Sequence, residues 1–131
     1  MSVRSVYDEA TEEAARHRWI ESQKQGRDLG ESAVREWYDR HWVEYCWYRH
    51  LEHLEGRTQW REFDDNGFGL ISELLDGDNL LADRILDRVY AGQENLEIIQ
   101  WAFQFGIDTG PVLKILTQLH INRRRLEPRP N

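Results

Sequence analysis

A thiol and an imidazole one helical turn apart are the most reactive pair this chain offers. Cys46 and His50 stand four residues apart in a run free of proline and glycine. On a helix they share a face, and the imidazole could draw off the thiol proton to leave a nucleophilic thiolate. A triad needs a third group to orient the imidazole. Asp39, the carboxylate on that side, is eleven residues from His50, roughly 16 Å along a helix axis, and cannot reach it. No phosphate loop or oxyanion donor is suggested nearby. Cys46 is therefore expected as a small packing residue, no catalytic residue is assigned, and the chain is expected to be non-enzymatic.

Carboxylates and imidazoles at ligand spacing come next. Glu13 and His17 are four apart, and His41 and Glu44 three apart. Two antiparallel helices could bring these four side chains together, as bundle metal sites do. The paired Glu-x-x-His spacing of di-iron bundles is missing, however. A core His41 hydrogen-bonded to a neighbour, with Glu13 and His17 in solvent, needs no metal, and no cofactor is implied. A calcium loop running from Glu62 through Asp64, Asn66 and Gly67 to Glu73 fits in part. It opens on Glu instead of Asp and has Gly69 at the eighth position, so a plain turn is expected there.

The most specific pattern lies near the C-terminus. Ala102, Gly106 and Val112 have the spacing of a helix-turn-helix, with Trp101, Phe105, Ile107 and Ile115 at positions that should be apolar. Thr109, Leu113, Lys114 and Thr117 would then face the base edges, and Arg123, Arg124 and Arg125 would clamp phosphates. That face is poor in base-reading side chains, and Pro111 sits at the opening of the reading helix.

These groups must be carried by helices, because no run alternates apolar and polar residues as a strand would. Ser5 and Asp8 have capping-box spacing, so a first helix is expected over 6–25 and stops at Gly26. Asp28 and Glu31 repeat the spacing for a second helix from Leu29 to Leu54 or Glu55, stopped by Gly56. The short link makes the pair an antiparallel hairpin over 6–55. Asp64-Asp65-Asn66-Gly67 reads as a turn. Shorter helices follow over 68–75, from a cap at Asp78 to Tyr90, over 94–105 with Ile107 closing a Schellman turn, and from Pro111 towards Leu119. A basic, proline-containing tail follows over 123–131, and its end from Glu127 to Asn131 is expected to fray.

On a wheel, the second helix carries apolar residues on two sides. Val34, Trp37, Tyr38, His41, Tyr45 and Tyr48 share one arc, with Trp42 at its edge, and Val43, Trp47 and Leu54 lie opposite. Either this helix is the axis of the core, or Val43 and Trp47 stay exposed to meet a partner. On the first helix Tyr7, Ala10, Ala14 and His17 face one way, while Ala15 and Trp19 face another.

Composition bounds the rest. The chain has 131 residues, 31% charged and 40% apolar, with six Trp and a formal charge of −7. Those proportions are globular, the length suits one domain, and the acidic balance opposes general affinity for nucleic acid or anionic membranes. Residues 98–131 are nonetheless basic at +3, leaving −10 on the remainder. A single cysteine, no apolar leader and no apolar run of membrane-spanning length lead to the expectation of a cytoplasmic protein.

The stretch Arg18-Trp-Ile-Glu-Ser-Gln-Lys-Gln-Gly-Arg-Asp-Leu-Gly30 resembles a motif in a family of short bacterial proteins, in which Trp and Ser precede a Gly-Arg-Asp-hydrophobic-Gly turn. The likeness extends towards Trp60–Leu70 and the last two helices, about half the chain. The resemblance implies no activity and no functional residue. The turn is accounted for physically: Gly26 ends one helix, Asp28 caps the next, and Arg27 can pair with a nearby carboxylate.

The sequence thus leads to a single all-α domain of about six helices, acting without catalysis through contact with a protein partner or with itself. Trp19, Val43 and Trp47 are the expected contact residues. DNA binding through 98–125 is the alternative, and a carboxylate–histidine metal bundle the third.

Overall fold

The first helix begins where a carboxylate from far along the chain meets its free amides. A computed structural model describes residues 3–76, 79–119 and 126–129. In it α1 spans Val6–Gln25, the bounds expected from sequence. Its cap differs from expectation. Ser5 makes no capping bond with its own side chain. Instead Glu62 accepts from the Val6 amide and the Ser5 hydroxyl, both at 2.7 Å. A negative group at a helix N-terminus satisfies an orphan N–H and complements the macrodipole, so Glu62 ties the 57–69 link onto α1.

The turn into α2 (Glu31–Leu54) is held by Asp28. One carboxylate oxygen accepts from the Gly30 amide at 2.9 Å, an Asx turn. That extra turn delays the helix from the expected Leu29 to Glu31. Arg18, not Arg27, pairs with Asp28, through bonds of 3.0 and 2.7 Å. Helix α2 then runs unbroken for 24 residues, about 36 Å, and packs antiparallel to α1 as the sequence led us to expect.

Beyond α2, the backbone doubles back at a crossing of two glycines. Gly56 and Gly69 both have φ of +77°, and a Cβ on Gly56 would lie 3.1 Å from the Gly69 Cα. Any side chain at Gly56 would be strained by conformation and by space together. The His53 carbonyl accepts from both amides, at 3.1 and 3.0 Å. The expected turn at 64–67 is a 3₁₀ turn capped by Asp64.

The remaining helices are α3 (Leu70–Asp76), α4 (Leu80–Tyr90), α5 (Asn95–Gln104) and α6 (Thr109–Leu119). Asp78 lies outside the described residues; Asn79 caps α4 by accepting from the Ala82 amide. Helix α5 ends in the expected Schellman turn: Ile107 N–H donates to the Ala102 carbonyl and Gly106 N–H to that of Phe103. Ile107 thereby reaches the core. Among the described residues the strand-like pairing is confined to one isolated bridge, Arg4 with Trp60.

Two buried clusters form, and α2 belongs to both. Along its first half Trp37, Tyr38, Trp42 and Cys46 pack with Val6, Ala10 and Ala14 of α1 and with Trp60. Along its last turns Trp47, Leu51 and Leu54 pack with α3 to α6, against Ile71, Ile85, Val89, Ile98 and Leu116 among others. Each fully buried aliphatic contributes about 1.5–3 kcal/mol. The two apolar sides of the α2 wheel thus serve both clusters, with Val43 and Tyr48 left exposed.

Candidate interaction surfaces

The α1–α2 seam is an aromatic ladder. Tyr7 stacks on Trp42 at 5.8 Å, Trp42 lies 5.6 Å from Tyr38 and 5.9 Å from Tyr45, and Trp37 meets Tyr38 edge-on at 4.9 Å. Offset and edge-to-face rings add favourable quadrupole contacts to the area they bury. The tail, expected to fray, returns to this seam over 126–129. Leu126 packs against it, Trp42 Nε1–H donates to the Leu126 carbonyl at 2.8 Å, and the Arg129 guanidinium lies 4.0 Å from the Tyr7 ring centroid. An indole N–H and a tyrosine face attract it there, which the tail's own composition cannot reveal.

The four metal candidates do not assemble. His17 and His41 come together, 5.9 Å between ring centroids, but His17 pairs with Glu36 at 3.2 Å. Glu13 pairs with Arg16 on its own helix. Glu44 faces away from α1, beside Val43 and Tyr48. Among the described residues no three potential ligands converge. In the calcium frame, Glu62 is spent on α1 and Asp64 on the Asn66 amide at 3.0 Å.

Cys46 is buried, and that burial, with Glu62 nearby, pushes its thiol up to about 12. It is not a nucleophile at neutral pH. His50 stacks on Phe63 at 4.7 Å.

Of the three expected contact residues, two are exposed: Trp19 at 65% and Val43 at 38%. Trp47 is a correction. It is 9% exposed and belongs to the α3–α6 cluster, because α2 turns that side towards the shorter helices. The most exposed aromatic lies elsewhere. On α5, Phe103 is 80% exposed and Leu96 66%. At i and i+7 they share one face with the half-buried Ile99 between them, opposite the buried Ile98 and Ala102. A wheel of α5 shows this apolar face, but its near-uniform hydrophobicity hid which side the fold would leave bare.

The positions of the helix-turn-helix pattern differ in burial. Ala102 and Val112 are fully buried and Ile115 nearly so. Phe105, expected inside, is 67% exposed. The Schellman turn delivers Ile107 to the core in its stead, and Phe105 walls a groove with Arg84, Arg88 and Trp101. Arg88 lies 4.1 Å from the Trp101 ring centroid. Lys114 and Thr117 are exposed and Thr109 half-buried, with the Thr117 hydroxyl donating to the Leu113 carbonyl at 2.8 Å. Arg123, Arg124 and Arg125 lie outside the described residues.

Comparison of the chain with models of protein families, with curated proteins and with solved structures finds no significant match. No helix among the described residues is long and apolar enough to cross a membrane.

Two other buried groups carry no distinctive local signal. Trp60 is completely buried, with the Arg4 and Arg49 guanidiniums 5.3 and 5.7 Å from its centroid. His53 is completely buried too, its Nε2 bonded to the Asp64 carbonyl at 2.8 Å and its Nδ1 accepting from the Trp60 amide at 3.1 Å. Both anchor the 57–69 link. The signal for each was a large or polar residue beside a glycine-marked helix end, too general to single them out.

Proposed function

We propose that this chain is a non-catalytic interaction protein, working as a homo-oligomer or as a subunit of a larger assembly. The observation that supports it is the outward face of α5, where Phe103 and Leu96 stand largely in solvent while Ile98 and Ala102 of the same helix are buried. Interfaces are enriched in such aromatic anchors, and a few of them carry most of the binding energy. Trp19 and Val43 are further exposed apolar residues at other places on the hairpin. Sedimentation equilibrium and pull-down from a lysate, wild type beside Phe103→Asp, test the reading. Wild type is expected to self-associate or to retain a partner, and the variant to lose that association by roughly thirtyfold or more with its helical content unchanged. A wild-type chain that stays monomeric and captures nothing overturns it.

The second reading is DNA binding through α5 and α6, favoured by the burial of Ala102 and Val112 on either side of the Gly106 turn. A gel shift at low salt, with Arg123, Arg124 and Arg125 together changed to Ala, decides it. Absence of any shift with the wild type ends it.

A further inference from the structure

The tail over 126–129 has no regular secondary structure, and Pro128 fixes its own φ and biases Glu127 to extended backbone. Its seat is shallow. Leu126 is half-buried, while Glu127, Pro128 and Arg129 remain exposed. Two anchors hold it: the Trp42 indole N–H on the Leu126 carbonyl, and the Tyr7 ring under the Arg129 guanidinium. Tyr7 and Trp42 are stacked on each other, so the anchors are two ends of one rigid aromatic pair contributed by α1 and α2. An aromatic surface that donates to a backbone carbonyl, accepts a stiff proline-held segment and stacks a guanidinium has the features by which proline-rich segments are read.

We propose that the Tyr7–Trp42 seam is a binding site for an extended Leu-x-Pro-Arg segment of another protein, and that the chain's own tail is its exchangeable resident. The tail itself defines the partner's chemistry: an apolar residue, a proline that keeps the backbone extended, and an arginine for the tyrosine face. Little core surface has to open for exchange, because three of the four seated residues are already in solvent. The site stands apart from the α5 face and does not depend on it.

The probe is the hexapeptide Leu-Glu-Pro-Arg-Pro-Asn, the sequence of residues 126–131, titrated into the full-length chain by calorimetry and ¹⁵N NMR. The tethered tail competes at an effective concentration on the order of millimolar, so Leu126→Ser with Arg129→Ala, in the full-length chain, empties the seat. That variant is expected to bind the peptide about tenfold or more tighter than wild type. Adding Trp42→Phe, which removes the indole donor and keeps a ring, is expected to weaken binding about fivefold. Phe103→Asp is expected to leave it unchanged. No saturable binding to the emptied variant, or binding indifferent to Trp42→Phe, overturns the proposal. Should the emptied variant not fold, the wild type decides. Peptide at several-fold the effective concentration of the tail is expected to move the Leu126 and Arg129 resonances to free-peptide positions, and unmoved resonances overturn it.

Discussion

Asp28 joins two helices with one carboxylate. It accepts both bonds of the Arg18 guanidinium and the Gly30 amide, and these hold its carboxyl well below the usual carboxylate range, the Arg18 hydrogen bond most of all. A depressed folded value means that its contribution to stability is fully present above the unfolded value near pH ~3.9 and is lost as pH falls towards the folded one. Following the Asp28 side chain by ¹³C NMR from pH 6 downward should give a midpoint clearly below that of an ordinary aspartate. Arg18→Gln should raise the midpoint towards the ordinary value, with helical content at neutral pH almost unchanged because the pair is exposed. A normal midpoint in the wild type would remove this account of the turn. The sequence revealed half of the arrangement. The spacing of Asp28 marked the entry to α2, but the cap position falls to Gly30 with Asp28 holding the turn before it, and its partner Arg18 sits ten residues upstream on another helix. Cys46 and His50 teach the converse, since correct spacing on one helix still leaves the thiol sealed and protonated.

At the scale of elements, helices were legible because their glycine stops and periodicity are local, and the 57–69 link was not because its contacts are distant. Glu62 reaches back 56 residues to cap α1, and Trp60 pairs with Arg4. Neither is encoded by neighbours in sequence. His53 governs the link from its base, since its ring and its carbonyl together engage Trp60, Asp64, Gly56 and Gly69. Replacing it by leucine keeps apolar bulk but strands the buried Trp60 amide, worth about 1–3 kcal/mol when left unsatisfied, while the Asp64 carbonyl keeps the Gly67 amide at 2.9 Å. His53→Leu should therefore destabilise the chain by roughly 1–3 kcal/mol in urea denaturation. Phe103→Ala, on the bare face of α5, should fall within about 0.5 kcal/mol of wild type. An equal loss in both would show that the link is not held as described.

For the whole molecule, the all-α class and the hairpin could be read from pattern alone, and so could a central α2 with apolar groups on two sides. What pattern could not supply was which apolar faces would be covered. Trp47 and Phe103 look alike on a wheel, yet one is buried in the cluster to which α3 to α6 contribute and the other stands in solvent. That placement of Trp47 has a mechanical result. The same continuous rod supplies the ladder beside α1 and the wall beneath α3 to α6, so neither half can melt without loosening a shaft they share. Trp47→Ala, costing about 3–5 kcal/mol, should lower the thermal midpoint of the aromatic near-UV signal and of the α4–α6 amides by the same amount, in one transition. The two ends of the protein are geared together, and a disturbance at either is felt along the full length of the axle.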